Sequence, residues 1–544
     1  MRPTLALTRR TTGVAAIAAI AAIACGEIDR TRWKARFGDA DAQIELAAAY
    51  ATGAGVAKGG AEAVRWYREA AAQQRPDAAG ALARIYADGE LVGADPEQAL
   101  KWFEVEALAG GPDVQLALAE RLDQGVGVRS DPARALEWLQ RAAESGSLDA
   151  QVAVGVAHLN GRGTLRDFGK AADWFRRAAE SGHPDAQNRL GLLHTTHYGP
   201  GRDFAAAVRW FRAAAEQGNP DAKLNLASLA SQGLGMEADP AQAFRWTLSA
   251  AEGGHPGAQE RVAGLYERGE GVPADLALAR RWYVTSAENG VGSAAVRLAD
   301  LVGAGAFGAP DAAEVARWLL MGAEAGDRDA QARVGECYAE GLGVTQDLEQ
   351  AFRWIREAAT QGHAKAQNSL GVLYELGKGT EKSPEEAAKW YRRASGLGDR
   401  DGQLNVALAF FDGSGGKKDV AEGIRLLRLA AEAGQPDAQL LLGLRYRAGD
   451  GVEQDEAESL RWIQSASEQG LPRARNQLGL IHAQGLGVRK DLVLAHAWLS
   501  LAAEGGVEMA SKNRDVLERA FSAAERERSK RLQAELRAKA APAP

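Results

Sequence analysis

Few residues in this 544-residue chain have the types and spacing that chemistry needs. Histidine comes first. His158 and His194 lie 36 residues apart, and His197 follows about one helical turn after His194. Three imidazoles on neighbouring helices are the minimum protein set for a catalytic zinc. A structural reading competes with it. His158, His194 and His482 stand where equivalent stretches carry Tyr50, Tyr86, Tyr266 or Tyr374, as aromatic substitutes would. His183, His255 and His363 recur at multiples of 36 and are expected as solvated loop residues. Cys337 stands where Leu193, Leu265 and Leu373 occur elsewhere, so it reads as a small buried hydrophobe and not a nucleophile. Gly303 to Gly308 spells G-x-G-x-x-G, but without the preceding strand that a dinucleotide site requires. Ser414-Gly415-Gly416-Lys417 spells S-x-x-K inside a glycine turn, with no partner motifs elsewhere. The expectation is a chain with no enzymatic activity, no metal and no cofactor.

The other cysteine, Cys25, carries different chemistry. Arg2, Arg9 and Arg10 precede an uncharged apolar run from Gly13 to Ala24. That run is too short for a bilayer span, which takes about 20 residues, and has the length of a signal-peptide core. Ala22-Ile23-Ala24-Cys25 resembles a bacterial lipobox, with Ala22 where leucine is commoner. The resemblance implies cleavage before Cys25 and a lipid on its sulfur; plain secretion is the competing outcome. With Gly26 next, similarity to Gram-negative lipoproteins implies outer-membrane sorting, facing the periplasm or the cell surface.

Behind these residues lies a period. Tryptophan falls at Trp66, Trp102, Trp138, Trp174, Trp210, Trp246, Trp282, Trp318, Trp354 and Trp390, then at Trp462 and Trp498. Every step is a multiple of 36, and Leu426 fills the missing place. A frame opening at Asp41 gives thirteen repeats without insertion or deletion, ending at Glu508. Such self-similarity marks a repeat architecture. Each repeat reads as two helices. Helix A opens at place 1 and ends at a glycine at place 13, as at Gly161 and Gly341. A small residue at place 7, such as Ala47 or Gly335, lets neighbouring helices approach closely. Helix B starts at Asp in place 19, as at Asp95, Asp131, Asp239 and Asp347, whose carboxylate can cap free N–H groups. Proline follows at the first helical position in Pro96, Pro132 and Pro240. One hairpin cannot bury its apolar face alone; stacked neighbours can.

The run Ala366-Gln367-Asn368-Ser369-Leu370-Gly371-Val372-Leu373-Tyr374, then Gly377, Gly379, Ala387, Trp390-Tyr391 and Ala394, resembles the Sel-one-like repeat (SLR) family, relatives of tetratricopeptide repeats. The resemblance implies an all-α, right-handed α/α superhelix with helix A lining the concave side. It also implies adaptor or scaffold work at the bacterial envelope. The chain departs from the pattern at Leu426, at His197 in place of the helix-ending glycine, and at Phe307 in place of the second loop glycine. The loops at Thr195–Arg202 and Ala304–Pro310 are therefore expected to be irregular. The paired cysteines of the family's cysteine-rich branch are absent from the sequence, which removes support for β-lactam-related or cell-wall enzymatic chemistry. The organisation expected is a signal peptide over 1–24, a linker and N-terminal cap over 25–40, repeats over 41–508, one capping helix over 509–538 and a tail over 539–544.

Function then falls to a face. On helix A, places 2, 6, 9 and 10 repeat as packing positions, whereas places 5, 8 and 12 vary. Place 5 carries Arg189, Arg261, Arg297 and Arg333, with Asn225 and Asn405 interspersed. In a chain of net charge −7, too acidic for a general nucleic-acid binder, this is a cationic row. It suits a protein or extended peptide partner with acidic groups, or an anionic glycan. The competing reading pairs the row with Glu260, Asp300 and Glu336. A second basic row on helix B, including Arg317 and Arg353, is expected as a solvated outer face.

Overall fold

The computed structural model describes residues 28–414 and 416–540; the signal segment 1–24, Cys25 and residues 541–544 lie outside them. Among the described residues every regular element is a helix, and A and B helices alternate from Ala40–Thr52 and Gly60–Ala71 to Pro472–Gln484 and Leu492–Glu504. The fold class is the expected all-α solenoid of helix hairpins. The hairpins form two compact blocks. One runs through Ala258 with Gly269–Pro273; the other comprises Gln259–Arg268 and the chain from Ala274 onward.

Helix boundaries follow from capping chemistry. Twelve of the thirteen B helices have a side-chain N-cap, Asp in eleven and Ser383 in one; Gly59 is the exception. Asp347 Oδ1, for instance, accepts from the N–H groups of Glu349 and Gln350, each at 3.0 Å, and so satisfies two donors that the first turn leaves open. A helices end on glycine in the left-handed region, as at Gly341 with φ +74°. Where that punctuation is disturbed, the A helix stops one residue short: Pro184–Thr195, before His197, and Gly292–Gly303, before Phe307.

The second loop glycine has a separate cause. A Cβ on Gly343 would stand 1.9 Å from the carbonyl oxygen of Ala312, the first residue of the preceding helix B. Gly379 meets the Leu348 carbonyl at the same distance, and Gly163 and Gly271 meet those of Pro132 and Pro240 at 2.1 Å. These four A–B turns therefore sit directly on the backbone of the repeat before them. The small residue at place 7 likewise has a specific partner, but within its own repeat. Cβ atoms on Gly155, Gly371 and Gly335 would each lie 2.5 Å from the side chains of Phe175, Tyr391 and Ile355 on helix B.

Tryptophan joins repeats. Trp354 packs in one buried cluster with Leu319 of the preceding repeat and Val334 of its own. Truncating such a ring costs about 3–5 kcal/mol locally. The expected solvated row on helix B is partly an aromatic contact: the guanidinium groups of Arg317 and Arg353 lie 5.1 Å from the ring centroids of Trp318 and Trp354. In the repeat where Leu426 replaces tryptophan, Leu426 is buried and Phe411 packs in the same cluster. Its ring fills the space beside Gly423, and Arg445 stacks on it at 3.9 Å.

The two ends close the stack differently, and only the C-terminal one departs from the sequence reading. Residues 28–36 are helical, and Gln43 Nε2 donates to the Ala35 carbonyl at 3.1 Å, so this segment acts as the end of a helix B. The single capping helix expected over 509–538 is two helices, Glu508–Ala520 and Ala523–Ala540. The reason is a capping box: Ser522 Oγ accepts from Glu525 N at 3.3 Å, and Glu525 Oε2 accepts from Ser522 N at 2.8 Å, which starts a new helix. Glu508–Ala520 takes the place of a fourteenth helix A, with Ala510 fully buried. Ala523–Ala540 folds back on Leu492–Glu504, where Ser529 Oγ lies 2.8 Å from His496 Nδ1.

Candidate binding face

Helix A of repeat 9, Arg328–Glu340, shows how the face arises. Ala330, Val334 and Cys337 point into the core, while Arg333 and Glu336, on another stripe of the same helix, remain half-exposed. Burial pushes the Cys337 thiol up, as suits a small core residue. Place 5 therefore does lie on the free side of helix A, but its residues are mostly engaged.

Arg297 forks onto the Glu267 carboxylate, which also accepts from the Tyr283 hydroxyl at 2.7 Å. Arg297 first, then the Tyr283 hydroxyl, hold Glu267 below the usual carboxylate range against the opposing cost of burial. Burial and then Glu267 push the Tyr283 phenol up. Arg333 pairs with Asp300 at 2.7 Å. Two of the four arginines are thus neutralised by acids on helix A of the preceding repeat. Asn225 donates to Asn188 at 2.9 Å and Asn405 to Asn368 at 2.8 Å, both rungs between adjacent A helices. Arg189 is half-buried, and its Nε has no partner. Arg261 is exposed. In the C-terminal block, Glu260, Glu267, Arg297 and Asp300 line one open polar cleft of about 500 Å³, with Arg333 attached through Asp300.

Two apolar clefts escaped the sequence reading. In the N-terminal block, Leu116, Leu136, Leu139 and Val156 line a cleft of about 230 Å³, and Arg162 pairs with Asp123 beside it. In the C-terminal block, Leu404, Leu408, Leu440, Leu441 and Leu444 line one of about 350 Å³, flanked by the Arg473–Asp437 pair at 2.5 Å. For the second, the signal was leucine at places 4, 5 and 8 of successive repeats.

Also missed was a row of polar clamps between repeats. Gln331 Nε2 donates to the Ala323 carbonyl at 3.2 Å, and its Oε1 accepts from Gln361 at 2.7 Å. Gln187 and Gln439 make the same two bonds. The recurrent Asp-Ala-Gln at the head of helix A was the available signal. His183, His255 and His363, expected in solvent, are N-caps of the A helices. Their Nδ1 atoms accept from the N–H groups of Ala186, Ala258 and Ala366, and their Nε2 atoms reach Asp149, Asp221 and Asp329, in the first turn of the A helix one hairpin earlier, at 3.0, 3.4 and 3.3 Å.

His158 is buried and His194 half-buried, and burial lowers the pKa of both; His197 is exposed. Among the described residues no group of three His, Cys, Asp or Glu is placed to hold a metal ion. Ser529, His496 and Glu518 form a short row resembling a hydrolytic triad, yet Ser529 is fully buried and no substrate carbonyl can reach it.

The period, capping and turn contacts define one repeat type, and the Sel1 repeat model matches the chain at 40–74, at 76–105, in five consecutive segments covering 112–147 to 256–291, and in five covering 328–363 to 472–507. The chain belongs to the Sel1 repeat family. The stretch 292–327, where Phe307 replaces the loop glycine, is unmatched but still folds as the hairpin of Gly292–Gly303 and Ala312–Glu324. No curated protein matches the chain. Among solved structures, it is similar to a protective antigen of uropathogenic Escherichia coli strains displaying an SLR fold: 29% identity, 95% of each chain covered, TM-score 0.46. It is also similar to a Sel1 repeat protein from Oxalobacter formigenes, at 33% identity over 57% of this chain and 90% of that one, TM-score 0.49. As a Sel1 repeat protein, the chain is a scaffold of a kind that commonly binds protein partners.

Proposed function

We propose that this Sel1 repeat protein is a non-catalytic adaptor that holds an extended polypeptide on the free faces of its A helices and is tethered to the bacterial envelope by a lipid on Cys25. One observation carries the reading. Packing positions are uniform from repeat to repeat, whereas the free stripe changes character, from the charged cleft around Arg297 to the leucine cleft around Leu408. Such a succession suits a partner whose side chains alternate between polar and apolar, as an extended peptide does. A glycan would present few apolar groups to Leu408 and Leu444, and the pairing of Arg297 and Arg333 leaves fewer cations for an anionic one. The lipobox-like Ala22-Ile23-Ala24-Cys25 supports export and lipidation, with the outer membrane as destination.

Affinity capture from envelope extract tests the adaptor role. One stoichiometric protein partner should co-purify and be lost with Leu408→Asp and weakened by Arg261→Ala. A partner retained by both variants refutes the assignment of the face. Mass spectrometry of the mature N-terminus should find acylated Cys25; an intact Met1 in the cytosol refutes the tether.

A further inference from the structure

The helix 28–36 bears a patch that the solenoid does not use. Its inward side is short: Thr31 and Ala35 are buried, Thr31 Oγ1 donates to Glu45 at 3.4 Å, and Ile28 lies against Gly55. The opposite side carries Arg30, Trp33, Lys34 and Phe37, an i, i+3, i+4, i+7 stripe facing solvent. Trp33, the one tryptophan out of register with the period, is 64% exposed, and Phe37 is 75% exposed. Their rings meet at 4.7 Å, so they form one apolar surface. Arg36 adds a third outward cation. Arg32 is engaged by Asp29 at 3.2 Å and by Tyr50. Among the described residues, Arg30, Lys34 and Arg36 have no acidic partner within ion-pair distance. An exposed aromatic pair ringed by free cations, on a chain of net charge −7, is a local inversion of the protein's character.

We propose that this patch docks on an anionic lipid surface, with Trp33 and Phe37 inserted at headgroup depth and Arg30, Lys34 and Arg36 paired with lipid phosphates. Tryptophan settles at that depth because its ring prefers hydrocarbon and its indole N–H water, and Phe37 adds apolar area beside it. Basic residues beside them gain from the negative surface potential. The patch is independent of the acyl chain proposed for Cys25. Trp33 lies eight residues beyond that cysteine, near enough to add a second contact with the same membrane.

The test removes the lipid. The chain from residue 25 onward with Cys25→Ser keeps every hydrogen bond and packing contact described above, all of which lie within 28–540. It is mixed with vesicles of phosphatidylglycerol or of phosphatidylcholine. Binding should be at least tenfold tighter to phosphatidylglycerol, and acyl-brominated lipids should quench Trp33 emission. Both Trp33→Ser and Lys34→Glu should weaken binding about tenfold with unchanged helical circular dichroism. Equal affinity for the two lipids, no binding, or binding indifferent to both substitutions overturns the proposal. So does a parent dimer that Trp33→Ser dissolves, which would give the patch to a second copy of the chain. None of these outcomes bears on whether the native Cys25 is acylated or whether Leu408 takes a peptide.

Discussion

Replacing Gly343 by alanine should weaken the junction between two repeats more than it weakens either repeat's own turn. Gly341 and Gly343 share one loop and both have positive φ, +74° and +71°. Alanine at either place therefore costs about 1–2 kcal/mol for a left-handed L-residue. Beyond that the two differ. A Cβ on Gly341 meets Gln346 Cβ at 3.4 Å, an ordinary contact. A Cβ on Gly343 lies 1.9 Å from the Ala312 carbonyl oxygen, inside any allowed contact, so the turn must lift off helix Ala312–Glu324. Overpacking of this kind adds about 1–3 kcal/mol, which brings Gly343→Ala to about 2–5 kcal/mol. Because nearest-neighbour interfaces sustain a solenoid, the loss should be local. Hydrogen exchange by mass spectrometry should show faster opening of both Ala312–Glu324 and Arg328–Glu340 in Gly343→Ala, with a smaller effect in Gly341→Ala confined to the latter helix. Equal protection in the two variants would refute the claim that the second glycine exists for the neighbouring repeat.

Gln331→Leu should cost about 0.5–1.5 kcal/mol, since it removes the bonds to the Ala323 carbonyl, which keeps the Gly326 N–H, and to the exposed Gln361 amide; urea unfolding followed at helix Arg328–Glu340 checks it, and an unchanged midpoint would mean that water replaces the clamp. Stability should also fall on acidification. Burial lowers the pKa of His158, His194 and His482, so the unfolded chain binds more protons than the folded one once the pH drops below about 6.5. The loss grows from there down through the folded pKa values. His158→Tyr, which installs the residue other repeats carry at that place, should flatten the melting temperature between pH 7 and 5, and an unaltered pH slope would sink the argument.

Local punctuation was fully legible in the sequence. Asp347 caps its helix through N–H groups two and three residues away, and Gly341 ends its helix by its own φ, so the signal and its effect are neighbours in the chain. The tryptophan period did the rest, because one buried ring per 36 residues fixes both the length of a hairpin and the fact that hairpins stack. Even the break at Ser522, read as continuous helix, was present as an S-x-x-E capping box. What the sequence left open was partnership between stretches far apart along the chain. Arg297 reads as one of a cationic row, either open to a partner or paired with neighbouring acids, until Glu267, 30 residues earlier, is set beside it. His363 reads as a solvated loop residue until Asp329, 34 residues earlier, takes its Nε2. Gly343 reads as turn punctuation until the Ala312 carbonyl arrives beneath it. Composition and local spacing carry information over a few residues of chain, whereas the charge state and exposure of a face depend on how one hairpin is rotated and seated against the next. That seating is set by side-chain volumes and backbone contact between segments that no local pattern connects, and only the folded stack decides it.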